Sequence, residues 1–450
     1  MRTASSTQGH PLRDPADPTS EPEGRAPPHA PPPRRVAADF LPPAFAKPRF
    51  RLFAAGQALS VIGSWIQQVA LGWLVFRLTN SVFLLGFTGF LLQIPHLFIA
   101  PFAGVLSDRL PRSTVLMAVN VWLAIMAALL AVLALSGVDE ISIYLVIALL
   151  IGIGNACEAP TRQAILGAII EDRALLPSAI GFNSVLFNTG RMIGPAIAGV
   201  LLSRFSEGVC FAANAVSFIG IIGALVAMRL PETQSLSLRA SSGGFAIRAT
   251  FSQLSKLPVA RYMLPSASAV ALCALPLNQL MPSLAVDYFG GDAGLLGLLL
   301  SSSGAGALVG ALFLSMQRGH GVQLRVGQIA PIVAGLALMG LSQSRTLWMT
   351  MPLLAVIGAF VLTTSVSTNT LLQQSVDDDW RGRVIGLYLT CFLGMAPIGN
   401  LLSGWMASHA GLGSTLLLNG AVVATAGLIA QFRLSRRPEA RRELRESVKL

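Results

Sequence analysis

Charged residues are scarce in this sequence: 12% of its 450 residues are Asp, Glu, Lys or Arg, whereas 53% are hydrophobic. A soluble globular chain has about 25% charged residues, so the composition excludes that class. The mean hydropathy of +0.65 agrees with this exclusion. The sequence also lacks the residue-by-residue alternation over about ten-residue segments that a membrane-spanning β-barrel requires.

Cysteine is equally rare. The four cysteines, Cys157, Cys210, Cys273 and Cys391, fall inside apolar stretches and show no spacing typical of a disulfide or a metal site. We interpret each as a small buried hydrophobic residue. The five His residues are scattered and have no metal-ligand spacing. We therefore expect no metal and no cofactor.

Sequence motifs of catalysis are missing as well. There is no GxxxxGK[ST] phosphate-binding loop, no nucleophile elbow and no zinc-protease helix. ATP hydrolysis and other enzyme activities are thus not predicted. The net charge of +11 could suggest a nucleic-acid partner, but the basic residues cluster in alternate loops and in the two tails, so we interpret the charge as topological and expect no nucleic acid.

What the sequence has instead is a series of apolar stretches of about 20 residues, each long enough to cross roughly 30 Å of hydrocarbon as a helix. They predict an all-α polytopic membrane protein with twelve transmembrane helices in two six-helix bundles. The predicted spans are about 52–76, 82–106, 114–136, 142–166, 178–203, 208–229, 262–285, 294–316, 326–343, 347–373, 384–407 and 413–432.

One long polar stretch divides the spans into two sets of six, and two halves of this kind favour a duplicated architecture with a binding site between them. The linker composition PETQSLSLRASSGG predicts a flexible segment, and the Pro-rich start predicts a disordered tail. The predicted divisions are a cytoplasmic tail 1–47, a bundle 48–230, a cytoplasmic linker 231–258, a second bundle 259–433 and a basic cytoplasmic tail 434–450.

The basic residues predict the orientation. With both termini in the cytoplasm, thirteen lie in cytoplasmic loops against three outside, which are Arg77, Arg204 and Arg345. The thirteen are Arg109, Arg112, Arg162, Arg173, Arg229, Arg239, Arg248, Lys256, Arg261, Arg318, Arg325, Arg381 and Arg383. We expect a multi-pass protein of the bacterial cytoplasmic membrane, acting as a monomer.

A charged turn, GVLSDRLPRS, separates the second and third spans. With Gly104, Asp108, Arg109 and Arg112, it resembles the signature loop of the major facilitator superfamily, although Ser113 stands where a second basic residue is usual. The resemblance implies an inner gate in which Asp108 faces the positive N-terminal end of another helix, with span 11 as the natural partner. The alternative is that these charges only anchor helix ends in headgroups.

The fifth span contains GRMIGPAIAG. Its Gly190, Gly194, Pro195 and Gly199 resemble the Gly-Pro motif of the drug-exporter branch of that superfamily, with Ala198 in place of a glycine. Small residues four apart let helices approach closely, and Pro195 removes a backbone hydrogen bond and bends its helix. Ordinary close packing is the alternative interpretation. The strings ALGWLVFRLTNS, APTRQAI, NSVLFNTGRMIGPAIAG and RGRVIGLY further resemble a subgroup with an enterobactin exporter and macrolide-efflux proteins.

Arg191 lies about 13 residues, or roughly 20 Å, into the fifth span. A cation at that depth is costly unless it faces a wet cavity or a partner. We therefore predict that Arg191 contacts substrate or belongs to an internal pair. The alternative is an arginine permanently neutralised by neighbouring helices.

Glu158 is the only carboxylate well inside a predicted span of the first half. Arg162 follows at i+4 on the same helix face, and a local ion pair is the simpler explanation. The alternative makes Glu158 a proton carrier whose pKa rises when the site dehydrates.

Many uncharged polar residues also lie in the spans, and interhelical hydrogen bonds explain most of them. Because the superfamily resemblance places spans 1, 4, 5, 7, 10 and 11 around a central pathway, Gln57, Asn183 and Asn188 become candidate cargo contacts.

The resemblance implies a secondary-active exporter of a small drug-like or siderophore-like compound, driven by proton antiport with alternating access. We expect a greasy cavity with one cation. Uptake of a nutrient or metabolite by symport on the same fold is the alternative. A transport-inactive membrane sensor or a membrane-embedded enzyme is the remote one.

Overall fold

The computed structural model describes residues 42–109, 111–170, 172, 174–228, 258–317, 320–376 and 378–436. At 100–109, 258–259, 320–321, 378–383, 385 and 387 it describes the backbone alone. Almost all of the predicted linker and of the predicted N-terminal tail, and most of the C-terminal tail, therefore lie outside the described residues.

Within these residues the chain forms fourteen α-helices. They are α1 (Pro48–Thr79), α2 (Val82–Arg109), α3 (Arg112–Leu135), α4 (Ile141–Ile169), α5 (Leu176–Arg204), α6 (Glu207–Met228), α7 (Pro258–Cys273), α8 (Leu277–Ser283), α9 (Ala293–Met316), α10 (His320–Gln343), α11 (Leu347–Gln374), α12 (Asp378–Leu393), α13 (Met395–Ala410) and α14 (Leu412–Ser435).

Twelve helical segments in the described part of the chain are long and apolar enough to cross a membrane. Helices α7 and α8 together make the seventh span, and α12 and α13 make the eleventh. Large apolar side chains such as Ile219 and Val309 are exposed on the outside of the bundle, as a lipid environment favours. The prediction of a twelve-helix membrane fold is confirmed.

The helix pairings of the first half recur in the second. In the first half α1 packs on α5 and α6, α3 on α4 and α6, and α2 on α4. In the second half α7 packs on α13 and α14, α10 on α11 and α14, and α9 on α11. Each of these pairings in the first half has a counterpart six spans later in the second half, so the chain folds as two similar bundles.

Two spans are broken in ways that the sequence analysis did not predict. The seventh is interrupted at residues 274–276 and ends in a π-helical turn, Leu284–Tyr288. Pro276 cannot donate a backbone hydrogen bond, and its ring would clash with the carbonyl of Leu272 in a continuous helix. The eleventh span is interrupted at Gly394, three residues before Pro397.

The predicted N-terminal tail extended to residue 47, but residues 43–46 form a 3-10 turn. Its Ala44 is fully buried, and the ring of Phe45 lies 4.7 Å from that of Phe182 on α5. The chain is therefore packed against the bundle from Pro42 onward, because an aromatic pair and a buried alanine fix this segment.

The turns after odd-numbered spans are short: residues 80–81, 136–140, 205–206, 289–292, 344–346 and 411. We call the end of the bundle that carries these turns the outer face and the opposite end the inner face. Asn80, Gly137, Gly290 and Gly411 have positive φ there. A left-handed residue reverses the chain in the fewest steps, and glycine adopts it without strain.

The two halves meet through α2 against α13 and α5 against α9. Near the outer face, Gly86 lies on Gly404 and Gly199 lies on Gly297. A Cβ at Gly86 would come within 2.7 Å of the Gly404 Cα, and one at Gly297 within 2.8 Å of the Gly199 Cα. The backbones thus touch, and the outer side of the interface is closed. In the described part of the chain, α4 and α11 pack chiefly within their own halves.

Candidate functional site

A cavity of about 310 Å³ lies among the helices of the first half, with Gln279 of α8 as the contribution of the second half. Its lining on α1 runs from Gln57 to Leu71, which is about 21 Å along the helix axis. This stretch is centred on the middle of α1, so the cavity lies around the middle of the membrane, and on α4 its lining reaches Arg162, near the end of that helix at the inner face. Ser64 and Gln68, in the middle of α1, are exposed into it.

Carboxamides dominate the polar lining of this cavity. Eight Asn and Gln side chains contribute to it, from α1, α2, α3, α4, α6 and α8. They are Gln57, Gln67, Gln68, Gln93, Asn120, Asn155, Asn214 and Gln279. Apolar side chains such as Leu71 and Phe187 line the cavity beside these amides, so the site is suited to hydrogen bonding as well as to apolar contact.

Three of these carboxamides are engaged within the protein. Asn214 of α6 donates to Gln67 Oε1 of α1 at 2.9 Å, and Asn120 donates to the carbonyl of Leu116 at 2.8 Å. The other five, Gln57, Gln68, Gln93, Asn155 and Gln279, have no hydrogen-bond partner in the described part of the chain. Gln57 is 4% exposed and Gln279 is 8% exposed, so their amides face the cavity rather than bulk water.

Glu158 and Arg162 of α4 form the charged part of the cavity wall. The Arg162 Nε lies 2.9 Å from Glu158 Oε1, without the alignment of a hydrogen bond. The guanidinium also lies 3.9 Å from the centre of the Phe187 ring and donates to Asn183 Oδ1 at 3.5 Å. The simpler prediction, a local i,i+4 pair, is what the geometry contains.

Arg162 was counted among the loop residues in the sequence analysis, and that assignment is wrong. Helix α4 continues to Ile169, and Arg162 is 6% exposed. Its stem is buried along α4 and its charge is held by Glu158 and the ring of Phe187.

Arg191 lies on α5 beside a second, smaller cavity of about 30 Å³ between the two halves. This cavity shares Trp65, Gln68 and Gln279 with the larger one, so the two adjoin. The guanidinium carbon lies 6.0 Å from the centre of the Trp65 ring. Arg191 makes no ion pair or hydrogen bond with any residue that the structure describes.

The two predicted cargo contacts on α5, Asn183 and Asn188, have different surroundings. Asn183 lies beside Gln57 in a small apolar pocket and accepts from Arg162. Asn188 donates to the carbonyl of Ser184 on its own helix at 2.8 Å and lines neither cavity. Gln57 lines the larger cavity as predicted, whereas the geometry gives Asn188 no cavity role in this conformation.

The predicted gate is described in part. The backbone of α2 continues helically through Gly104, Asp108 and Arg109, but their side chains lie outside the described residues. Arg112 begins α3, and its Nη1 donates to the carbonyl of Ala164 on α4 at 3.3 Å. Arg112 thus joins α3 to α4 within the first half.

The glycines of α5 bring it close to α1 and α9. A Cβ at Gly190 would meet Val61, one at Gly194 would meet Trp65, and Gly199 touches Gly297. Helix α5 stays continuous through Pro195, which lines the smaller cavity. These residues therefore place Arg191 and Trp65 together at the junction of the halves.

The sequence analysis missed Gln93 and His96 of α2 and Asn120 of α3, which all line the larger cavity. A signal was present: Gln93 and His96 are three residues apart, and Gln57, Ser60, Ser64 and Gln68 recur at helical spacing along one face of α1. No three His, Cys, Asp or Glu of the described residues converge as a metal site would require.

Comparison with known proteins decides what this arrangement is. Residues 40–448 match the model of a family described as transmembrane secretion effector. The chain belongs to this family of the major facilitator superfamily. It is accordingly a multi-pass membrane transporter that moves a small molecule by secondary transport, and it is not an enzyme.

Curated relatives span nearly the same length. The chain is 25% identical over 371 residues to the Staphyloferrin A transporter of Staphylococcus aureus, covering 82% of this chain and 92% of that one. It is 24% identical to Macrolide efflux protein A of Streptococcus pyogenes, covering 84% and 94%. With Multidrug efflux pump Tap of Mycolicibacterium fortuitum the identity is 27%, covering 85% and 94%.

Solved structures have the same fold at low identity. A bacterial homolog of the human lysosomal transporter Spinster, in an inward-facing and unoccupied conformation, superposes with a TM-score of 0.68 at 14% identity, covering 89% of this chain and 98% of that one. The nucleoside transporter NupG gives a TM-score of 0.65 at 14% identity, covering 86% and 98%.

Proposed function

We propose that this protein exports a small organic compound from the cytoplasm by alternating access, in exchange for protons. The observation that carries the proposal is the polar cavity around the middle of the membrane, which lies on the inner side of the glycine contacts that close the outer interface. Relatives named as efflux proteins favour export over uptake.

The orientation follows from the basic loops. With both termini in the cytoplasm, the inner face is cytoplasmic and the conformation of the structure is ready to receive cargo from inside. The bundles of residues 48–230 and 259–433, joined by a cytoplasmic linker at 231–258, would then rock about the glycine contacts of α2 with α13 and of α5 with α9.

We assign proton coupling to the Glu158–Arg162 pair. Protonation of Glu158 removes the negative charge that holds Arg162, and deprotonation restores the pair. A carboxylate that changes its charge beside the cargo cavity can link proton movement to cargo release. The closing latch at the inner face would be formed by the segment with Gly104, Asp108, Arg109 and Arg112 and the start of α12.

Everted membrane vesicles from cells that express the protein test this function with a mixture of compounds in place of a single chosen cargo. The vesicles are incubated with a cytosolic extract of small molecules under an imposed pH gradient, acid inside, and their contents are measured by mass spectrometry. We expect at least one compound to accumulate only with the protein and the gradient.

The matched control is vesicles with the same expression level and a collapsed gradient. Accumulation that occurs only in right-side-out vesicles would contradict export and would favour uptake by symport. Accumulation that does not depend on the pH gradient would contradict proton coupling but would still support transport.

A further inference from the structure

The cavity contains more hydrogen-bonding capacity than the protein uses. Gln57, Gln68, Gln93, Asn155 and Gln279 have no partner among the described residues, and each carboxamide offers two N–H donors and one acceptor oxygen. Gln57 and Gln279 are buried, and a buried amide without a partner is costly, so these two side chains require water or a bound molecule as a partner. The amides of Gln68, Gln93 and Asn155 are less buried and line the same cavity.

Carboxamides with a structural role in the same wall are satisfied internally. Asn214 and Gln67 join α6 to α1, and Asn120 binds its own helix. The helices therefore do satisfy buried amides where packing requires it. The five unpartnered ones come from α1, α2, α4 and α8, and they converge on one space instead of on one another.

The charges of the site do not balance. Glu158 is paired with Arg162, whereas Arg191 has no carboxylate partner in the part of the chain that the structure describes. Trp65 covers one side of the Arg191 guanidinium, and the small cavity beside it adjoins the larger one, with which it shares Trp65, Gln68 and Gln279. One positive charge is thus available beside the amide-lined cavity.

We propose that the cargo is a hydrophilic organic anion: its carboxylate binds Arg191, and its body carries several hydroxyl or amide groups that bind the unpartnered carboxamides. Guanidinium and carboxylate form a charge-assisted pair, and amides match hydroxyls and amides as both donors and acceptors. A lipophilic cation fits poorly, because it would face Arg191 and leave the amides unsatisfied. This inference rests on the proposed function in one respect, that the cavity holds the cargo.

Four probes separate the two parts of this recognition. Gluconate carries a carboxylate and a polyol chain, glucitol the polyol alone, hexanoate the carboxylate alone, and tetraphenylphosphonium is a lipophilic cation. Binding to the purified full-length protein in detergent is measured from the shift of its thermal unfolding midpoint with probe concentration. We expect gluconate to bind at least about tenfold more tightly than glucitol or hexanoate.

Substitutions test which residues bind the carboxylate and which bind the polyol chain. Arg191→Met should abolish the preference for gluconate over glucitol, and Arg191→Lys should retain some of it. Arg204→Met, at the exposed end of the same helix, is the matched control and should change nothing. Gln57→Leu and Gln279→Leu should weaken gluconate and glucitol without affecting hexanoate, and Gln343→Leu, exposed at the outer face, is their control.

The proposal is overturned if gluconate binds no better than glucitol, if tetraphenylphosphonium binds more tightly than gluconate, or if Arg191→Met leaves the preference intact. This assay measures binding without transport, so those results would leave the vesicle test of export standing. If the purified protein prefers gluconate but its vesicles accumulate nothing, the proposed export is contradicted and the proposed ligand class is supported.

Discussion

At the scale of single residues, two arginines in the membrane have opposite surroundings. Arg162 has a carboxylate, an aromatic face and an amide oxygen around it. Arg191, on the neighbouring helix, has its guanidinium carbon 6.0 Å from the centre of the Trp65 ring and no acidic partner in the described residues. A membrane arginine that the protein itself does not neutralise is a functional group by default.

The Glu158–Arg162 pair gives a prediction at this scale. Glu158→Gln leaves the Arg162 charge without a counter-charge at 6% exposure, and this should lower the free energy of unfolding by about 1–3 kcal/mol, less than for a fully dry pair because the cavity admits water. The pH-gradient-driven accumulation in everted vesicles should fall to the level of vesicles without the protein.

Detergent-solubilised protein and denaturant titration measure the first effect. The double variant Glu158→Gln with Arg162→Gln should recover stability without recovering transport, and Glu140→Gln at the exposed start of α4 should be neutral in both assays. Unchanged gradient-driven transport in Glu158→Gln would remove Glu158 from the coupling mechanism.

At the scale of helices, glycine determines where the halves meet. The pair Gly86 with Gly404 joins α2 to α13, and the pair Gly199 with Gly297 joins α9 to α5. Gly86 and Gly297 are each the fifth residue of their helices, so the two contacts occupy equivalent positions in the two halves. Close backbone approach replaces the hydrophobic effect, which is weak between helices in lipid.

Enlarging one of these glycines should open the outer interface. A Cβ at Gly297 would lie 2.7 Å from the carbonyl oxygen of Pro195, which belongs to a helix backbone and cannot turn aside. Gly297→Val should cost the closed conformation about 1–3 kcal/mol, a shift of roughly five- to 150-fold in the population ratio. Transport should fall accordingly.

The measurement is labelling of Gln68→Cys, in a variant without the native cysteines, by a membrane-impermeant maleimide added to intact cells. Labelling should be faster when Gly297→Val is also present. Gly223→Val is the control, because no described atom lies within 4 Å of a Cβ at that position. Equal rates with and without Gly297→Val would show that this contact does not close the pathway.

At the scale of the whole molecule, the helix pairings of the first half recur in the second half, but the residues that line the cavity do not. The first half supplies nearly all of the cavity lining, and the second supplies Gln279 and the helices that close the outer side. The broken seventh span is what brings Gln279 to the cavity, since α8 begins a new direction after Pro276. The two halves therefore have the same helix arrangement but contribute differently to the cavity.

The orientation of the molecule is testable at this scale. Ser206→Cys lies at the outer face and Ser435→Cys at the inner face, and both positions are exposed. In a variant without the native cysteines, the impermeant maleimide should label Ser206→Cys on intact cells and Ser435→Cys only after permeabilisation. Labelling of both positions from outside, or the reverse pattern, would contradict cytoplasmic termini.

The number of spans could be predicted from the sequence, because a membrane helix has to be apolar over the thickness of the bilayer. The ends were less predictable: α1 runs from Pro48 to Thr79, beyond the predicted 52–76, since its ends leave the hydrocarbon. The break at residues 274–276 has no sign in hydropathy. Arg191 was predictable from the cost of a charge at its depth, and Gln57 from the resemblance, which places its helix at the central pathway. The convergence of Gln93, Asn120 and Gln279 depends on how the helices are rotated about their axes, which a sequence does not contain.

The outer turns comprise between one and five residues each. On the face that we propose to meet the outside world, the protein thus presents no loop long enough to fold over a departing compound or to recognise it. Discrimination among compounds has to be complete before the pathway opens outward. An exporter built in this way selects its cargo when the cargo binds from the inner face, and its outer turns cannot select again at release.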